Sequence, residues 1–223
     1  MLLIKVVIFD FDGTLFDTRA DITDAVNYAR RHFGLAEHSM DAVTGMVGYG
    51  VEFLTDRAFE DSNISTDQAL PVLMEYYRAH PGDKAVPYPG VTETLPKIHA
   101  NRAIISNKPE QLIRSLLKAH DLDSLFSSVV GGDTFSVRKP DPFPVRYLQA
   151  EFNVATEEIL VAGDHVPDVE MARRAGTRSV FCRYGFGRRH TDGADFEIDR
   201  FDEILGVLER LDSSESRVPG SAE

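Results

Sequence analysis

Residues 5–18 read KVVIFDFDGTLFDT, and this stretch decides how the rest of the chain is interpreted. Its apolar, β-prone part, Val6 to Phe9, predicts a buried strand that ends at two carboxylates, Asp10 and Asp12. Gly13 then permits a turn that residues with a Cβ atom resist. Like charges held close together repel one another, so a purely structural strand end has no reason to collect acids. Ligands of open α/β sheets bind at the carboxyl ends of the strands, which predicts a catalytic site with a hard cation such as Mg²⁺.

Strand-like and helix-like segments alternate along the remaining sequence. A long stretch with helical periodicity follows the first strand, and apolar runs separated by helical patterns come after it. These runs, which predict strands, are at residues 102–107, 128–131, 159–164 and 178–182. Such alternation is typical of an α/β fold with a parallel sheet covered on both faces.

The helical stretch is too long for a plain loop and is expected to form a second, smaller domain. The fold class predicted is therefore a Rossmann-like α/β core domain with an inserted helical cap domain. The last residues are polar and are expected to be disordered. The predicted boundaries are 1–15 and 85–212 for the core, 16–84 for the cap and 213–223 for the tail.

The composition is that of an ordinary globular chain and argues against several classes of partner. The formal charge of −12 disfavours nucleic acids and anionic membrane surfaces, because both require a basic face. A small anionic substrate remains compatible, since a bound cation and a few Lys or amide groups can reverse the local field. The single cysteine, Cys182, excludes an internal disulfide. The sequence shows neither a leader pattern nor a membrane-spanning run, which predicts a cytoplasmic protein.

Polar side chains also follow the later predicted strands. Ser106 and Asn107 stand before a predicted helix, where a hydroxyl and loop amides suit a phosphate group. The alternative is that these two residues only cap the helix. Lys139 precedes Pro140, which restricts its backbone and helps to fix the direction of its side chain. We expect Lys139 to neutralise phosphoryl oxygens, although a lone lysine in a loop is usually solvated.

Two more acids lie close to the end of the strand ILVAG. Asp164 follows that strand directly, and Asp168 stands at the start of the next helix. The structural alternatives are an N-terminal cap for Asp164 and a first-turn acid favoured by the helix dipole for Asp168. His165 lies between them, and an exposed loop position is the favoured interpretation. It is not expected as a ligand, because hard Mg²⁺ prefers oxygen.

Taken together, these residues resemble the haloacid dehalogenase superfamily, in its large phosphatase branch. Its four motifs occur in family order: DFDGT at 10–14, the Ser106–Asn107 pair, Lys139 within KPDP, and GDxxxD at 163–168. The resemblance covers most of the chain. Weaker cues, such as ISNKPEQLIRSLL and YPGVTETL, make the chain most similar to phosphoglycolate phosphatases. Nucleotidases, pyrophosphatases and sugar phosphatases of the same branch share many of these cues.

The resemblance implies catalytic roles for the motif residues. Asp10 would be the nucleophile that forms an aspartyl-phosphate, and Asp12 would be the general acid and base. Lys139 would neutralise charge and orient Asp10. The phosphoryl oxygens would be bound by Thr14, Ser106 and Asn107.

The resemblance also implies a Mg²⁺ site. The cation would be held by the Asp10 carboxylate, the backbone carbonyl of Asp12 and the Asp164 carboxylate, with Asp168 as an additional acid. The family usually has a small hydroxyl residue after Asp164, and this chain departs from that pattern with His165.

The predicted cap contributes a glycine-rich stretch, GMVGYGVEFL, that we expect to face the catalytic site. Gly48 and Gly50 would allow the backbone to approach the substrate closely, and the alternative is that they only separate two helices. Tyr49 and Arg57 are further candidates for substrate contact, with a solvated helix face as the alternative for Arg57. Tyr76 and Tyr77 follow a helical pattern and are expected to pack inside the cap: they are not assigned to the site.

The function expected is that of a Mg²⁺-dependent phosphomonoester hydrolase with an aspartyl-phosphate intermediate. Its partner would be a small phosphorylated metabolite, with 2-phosphoglycolate as the first candidate. The alternatives are a phosphatase for a nucleotide, pyrophosphate or a sugar phosphate, or a phosphoglucomutase-type phosphoryl transferase. A non-enzymatic binding protein would predict loss of the nucleophile or metal ligands, which are all present. The sequence leaves open whether the protein is a monomer or a homodimer.

Overall fold

A computed structural model of the chain describes residues 4–187 and 193–214. The strands in these ranges are β1 (Val6–Phe9), β2 (Phe16–Asp17), β3 (Val86–Pro87), β4 (Asn101–Ile105), β5 (Ser128–Val130), β6 (Ile159–Gly163), β7 (Arg178–Cys182) and β8 (Phe196–Ile198). Six of them form one parallel sheet in the order β5-β4-β1-β6-β7-β8. The five predicted strands are all in it, and β8 is an addition that the sequence pattern did not predict.

The helices are α1 (Arg19–His32), α2 (Met40–Thr44), α3 (Val51–Ala58), α4 (Thr66–Ala79), α5 (Val91–Thr94), α6 (Glu110–Ala119), α7 (Phe143–Phe152), α8 (Val166–Ala175) and α9 (Ile204–Ser214). Helix α9 includes residues 213 and 214, so the predicted disordered tail begins too early by two residues. The rest of that predicted tail, 215–223, lies outside the described residues. Among the helices described, none combines the length and apolar character needed to cross a bilayer.

Strand β1 shows why the sheet is covered on both faces. Its four side chains are all fully buried, as a continuous apolar run in a central parallel strand predicts. Because side chains alternate along a strand, Val6 and Ile8 pack in one hydrophobic cluster while Val7 and Phe9 pack in another on the opposite face. The predicted α/β class with a parallel sheet is confirmed.

Helices α1–α4 lie between β2 and β3, which pair antiparallel and bring the two ends of this segment together. We call residues 16–84 the helical insert. The insert has its own hydrophobic cluster, to which α6 adds Leu112. Tyr76 stacks on Tyr28 at a ring-centroid distance of 4.7 Å, which agrees with the prediction that Tyr76 packs within the helical segment. The predicted division into a core and a cap domain at residues 16 and 84 stays a prediction.

The register of the sheet brings the predicted motifs to one edge. The last residue of β1, Phe9, is paired with Ile104 near the end of β4 and with Ala162 near the end of β6. The loops that follow these three strands therefore start side by side. This edge is where ligands bind in open α/β sheets.

Candidate active site

The acid that follows β1, Asp10, is buried and paired with a buried lysine. Lys139 Nζ lies 2.7 Å from Asp10 Oδ1 and 2.6 Å from Asp168 Oδ1. Burial raises the pKa of Asp10 to about 7, with repulsion by Asp168 adding to this and Lys139 opposing it. Burial alone would lower the pKa of Lys139, but attraction by Asp10 and Asp168 raises it above its usual value. Side chains from three of the sequence motifs thus meet at the Lys139 ammonium.

Asp164 follows β6 and is fully buried. Its Oδ1 accepts a hydrogen bond from Thr14 Oγ1 at 3.0 Å, and its Oδ2 accepts from the backbone N–H groups of Phe186 and Gly187 at 3.0 and 2.9 Å. Gly13 has a φ of +90°, and a Cβ atom there would lie 2.2 Å from Asp164 Oδ2. Only glycine fits this turn. The predicted role of Thr14 in phosphate binding stays a prediction, and the observed partner of its hydroxyl is Asp164.

Asp168 contacts both the start of helix α8 and the lysine of the site. Its Oδ2 accepts from the backbone N–H of His165 at 3.0 Å, which helps to cap α8, while its Oδ1 contacts Lys139. Asp168 is therefore a first-turn acid of α8, as the sequence suggested, and it also contacts Lys139 in the site.

Four side chains in the described parts of the chain are close enough to hold one metal ion. Asp10, Asp164, His165 and Asp168 each offer a ligand atom, and these atoms lie within 4.8 Å of one another. Three carboxylates in a buried cluster repel one another unless a cation offsets their charge. Because oxygen donors dominate the set, the residues present fit a hard divalent cation. The carboxylate of Asp12 is not part of this cluster.

His165 corrects the sequence analysis, which favoured an exposed loop position. Its side chain is only 11% exposed, and its ring packs edge-on against Phe186 at 5.7 Å. Its Nδ1 lies 3.1 Å from Asp164 Oδ2 but is not aligned for a hydrogen bond. Burial alone would lower the pKa of His165, but attraction by Asp164 raises it to about 9. The exposed interpretation is wrong because the segment after β7 and the loop at Gly48 both pack against this ring.

Asp12 has a separate set of partners. Its Oδ1 accepts from Thr18 Oγ1 at 2.8 Å and lies 3.0 Å from the Nζ of Lys108. Lys108 is buried and also donates to the hydroxyl of Tyr77. Sequence analysis did not assign Lys108 to the site and expected Tyr77 only to pack. The signal for Lys108 is its place directly after the Ser106–Asn107 pair, whereas nothing in the helical pattern distinguishes Tyr77.

Asn107 uses its whole side chain in bonds to two loops. Its Nδ2 donates to the carbonyl oxygens of Gly48 at 2.9 Å and Lys139 at 3.1 Å, and its Oδ1 accepts from the backbone N–H of Lys139 at 3.0 Å. Ser106 Oγ faces the Lys108 N–H at 3.4 Å. The first N–H of helix α6, at Glu110, donates to Asp133 Oδ1 and not to Ser106 or Asn107, so the interpretation of these residues as mere caps is wrong. Their predicted binding of phosphoryl oxygens stays a prediction.

A cavity of about 40 Å³ lies between this edge of the sheet and the helical insert. Gly48 and Gly50 line it with φ values of +118° and +97°. Tyr49 is 43% exposed and packs on Phe53, while Arg57 pairs with Glu60, and neither lines the cavity. The lining residues are Asp10, Asp12, Ile22, Val47, Gly48, Gly50, Val51, Leu54, Tyr77, Ser106, Asn107, Lys108, Pro109 and Lys139.

Comparison with known proteins places this arrangement in a family. The family model for haloacid dehalogenase-like hydrolases matches residues 7–182. The chain is 33% identical over 219 residues to a phosphoglycolate phosphatase from Aliivibrio fischeri, covering 92% of this chain and 96% of that protein. It is 31% identical over 208 residues to one from Aquifex aeolicus, with 92% and 97% covered. The crystal structure of a predicted phosphoglycolate phosphatase from Haemophilus somnus superposes with a TM-score of 0.89 at 28% identity, covering 93% of this chain and 99% of that one.

Proposed function

Because the chain belongs to the haloacid dehalogenase-like hydrolase family, we propose that it is a Mg²⁺-dependent phosphomonoester hydrolase. Its proposed substrate is 2-phosphoglycolate or a closely similar small phosphorylated acid. The observation that carries the proposal is the buried Asp10–Lys139 pair beside the Asp164 and Asp168 carboxylates. Relatives named phosphoglycolate phosphatase, matched over almost their whole length, support the choice of substrate.

In the proposed reaction Asp10 attacks the phosphorus atom. A bond forms between an Asp10 oxygen and phosphorus, and the bond from phosphorus to the ester oxygen breaks. The departing alkoxide takes a proton from Asp12. Water then attacks the same phosphorus atom while Asp12 accepts its proton, which releases inorganic phosphate and restores the Asp10 carboxylate.

The separate partners of the two acids support these roles. Lys139 holds Asp10 and neutralises part of its charge. This reduces the repulsion between Asp10 and an approaching phosphate dianion. Asp12 is held instead by Thr18 and Lys108, and its carboxylate is not part of the acidic cluster. One carboxylate is thus kept for attack and the other for proton transfer.

The proposed Mg²⁺ would be held by the carboxylates of Asp10 and Asp164 and by the backbone carbonyl of Asp12. A bound cation supplies positive charge that offsets the repulsion between the phosphate and these acids. The contacts of Asp168 with Lys139 and the His165 N–H support an orienting role for it beside the ligands.

The helical insert is proposed to act as a cap that opens to admit substrate. The insert covers the cavity at the edge of the sheet, so the entry of substrate is proposed to require movement of the insert. In this closed arrangement Asn107 bonds to Gly48 and Arg138 pairs with Glu52 across the boundary. Closure after binding would exclude bulk water from the phosphorylated aspartate.

The remaining expectations belong to the same proposal. A small phosphorylated metabolite is the partner, the protein acts in the cytoplasm, and it is a monomer or a homodimer. The net charge of −12 supports the exclusion of nucleic acid and membrane surfaces. The mutase alternative would need a cap that binds a bisphosphate a second time, and no contact described above favours it.

Phosphate release from a panel of esters tests the proposal. With Mg²⁺ we expect release from 2-phosphoglycolate to exceed release from nucleoside monophosphates, pyrophosphate and hexose phosphates. Chelation of Mg²⁺ is expected to abolish release, and added Mg²⁺ to restore it. A stronger result with another ester would keep the phosphatase and change its substrate. No release from any ester would overturn the proposed function.

Asp164→Asn tests the metal site. The amide keeps one oxygen as an acceptor for its neighbours but removes the negative charge that attracts the cation. We expect the Mg²⁺ concentration for half-maximal activity to rise at least ~10-fold. Titration of phosphate release against Mg²⁺ measures this, with Asp123→Asn, on an exposed turn, as the matched control. A titration equal to that of the unmodified protein would remove Asp164 from the ligand set.

A further inference from the structure

Two buried lysines line the cavity, and the proposed reaction gives a direct role to only one of them. Lys139 pairs with Asp10 and Asp168, on the side where the phosphoryl group would bind. Lys108 is 5% exposed and pairs with Asp12. Lysine is rarely buried to this extent unless charged or polar partners compensate, so its place at the cavity needs an explanation.

The Lys108 ammonium has three hydrogens to donate, and in the protein it contacts two side chains. One contact is with Asp12, at 3.0 Å to Oδ1 and 3.4 Å to Oδ2, and the other is with the hydroxyl oxygen of Tyr77. The ammonium also lies over the Tyr77 ring, 4.6 Å from its centroid. Because the Tyr77 oxygen accepts from Lys108, its own proton remains available for donation. Burial raises the pKa of Tyr77 to about 12, so the phenol keeps that proton at neutral pH.

The rest of the wall that the insert contributes is mostly apolar. Ile22, Val47, Val51 and Leu54 line the cavity together with Tyr77 and the two glycines. Several hydroxyl groups of a sugar would lose hydrogen bonds to water against such a wall. A leaving group with a short apolar carbon and one anion fits better, because the anion has a cation to meet.

The place of Lys108 also fits the chemistry of the leaving group. Asp12 must lie beside the ester oxygen that it protonates, and Lys108 contacts Asp12 directly. In a phosphorylated 2-hydroxy acid a single carbon separates the ester oxygen from the carboxylate. A carboxylate on that carbon is therefore within reach of a cation that contacts Asp12.

We propose that the Lys108 ammonium and the Tyr77 hydroxyl form a carboxylate subsite that selects esters of 2-hydroxy acids. Lys139 then faces the phosphoryl group of the substrate, and Lys108 faces its carboxylate. This inference rests on the proposed phosphatase function and adds the residues that recognise the acid.

The unmodified protein provides the first test. We compare kcat/KM for 2-phosphoglycolate with that for 2-hydroxyethyl phosphate, in which CH₂OH replaces the carboxylate, and for 2-aminoethyl phosphate, which carries a cation. The carboxylate is expected to be preferred over the neutral group by at least ~100-fold, because a buried ion pair would be lost. The cationic ester is expected to be the poorest. Equal values for the carboxylate and the neutral ester would overturn the subsite.

Variants then assign the preference to residues. Lys108→Met keeps the length of the side chain, and we expect the preference for 2-phosphoglycolate over 2-hydroxyethyl phosphate to fall at least ~30-fold. Tyr77→Phe removes only the hydroxyl and is expected to reduce the same preference by roughly 3- to 10-fold. Lys118→Met, on the exposed face of α6, is the matched control and should leave the preference unchanged. An equal loss with both esters in the Lys108 and Tyr77 variants would overturn the proposal.

The outcomes distinguish a failure of the carboxylate subsite from a failure of the phosphatase function. If thermal unfolding shows that Lys108→Met is not folded, the ester preferences of Tyr77→Phe and of the unmodified protein still test the subsite. Phosphate release without discrimination among the three esters would refute the carboxylate subsite alone. No release from these esters, from p-nitrophenyl phosphate or from the wider panel of esters would refute the phosphatase function itself.

Discussion

Asp10→Asn is expected to reduce the turnover of 2-phosphoglycolate and of p-nitrophenyl phosphate by at least ~10⁴-fold, because an amide cannot form the phosphorylated intermediate. The loss should be in kcat, with both esters affected alike, since each must transfer its phosphoryl group to the same atom. The fold should be retained. Asp10 is a buried carboxylate whose charged form is costly, and Lys139 still has Asp168 as a partner when Asp10 becomes neutral.

Two measurements check this result. Phosphate release under saturating Mg²⁺ gives the turnover, and thermal unfolding shows whether the variant is folded. Asp123→Asn, on an exposed turn, makes the same chemical change away from the site and should behave as the unmodified protein does. A folded Asp10→Asn variant that kept turnover within a few-fold of normal would exclude Asp10 as the nucleophile.

Lys139→Met is expected to have the second largest effect, on both activity and stability. The variant leaves Asp10 and Asp168 buried side by side without the cation that lies within 2.7 Å of each. Removing one partner from a buried ion pair costs about 3–5 kcal/mol, a large share of the stability of an ordinary domain. Turnover should fall by at least ~10³-fold, because the charge of Asp10 would then repel the phosphate.

Urea unfolding with chelator present measures the loss of stability, and Lys118→Met is the control. The pKa of Asp10 is already raised to about 7, mainly by burial, and the loss of Lys139 removes an attraction that lowers it. The native state therefore binds a proton that the unfolded state, with its lower pKa, does not. Stability should then rise as the pH falls from about 8 to 5. A stability equal to that of the control at pH 8 would contradict the buried-pair argument.

Much of the fold was predictable because the relevant signals are local. The apolar run at Val6–Phe9 and the later runs at 102–107, 128–131, 159–164 and 178–182 all form strands of the sheet. Helices α1–α4 all lie within the long stretch of helical periodicity that follows the first strand. The short strands β2, β3 and β8 were missed, since two or three residues carry too little periodicity to distinguish them from loops.

The sequence by itself determined the family, the α/β class and the acids and lysine of the four motifs, because each motif is a short string that can be read without knowledge of its neighbours in space. Only the tertiary structure decided that the His165 side chain is mostly covered, that Thr14 bonds to Asp164, and that Lys108 and Tyr77 meet at the cavity. Tyr77 belongs to α4 in the insert and Lys108 follows β4, so their contact depends on how the insert packs on the sheet. The physical reason is that burial and charge pairing are properties of neighbours in space, which local pattern and spacing do not specify.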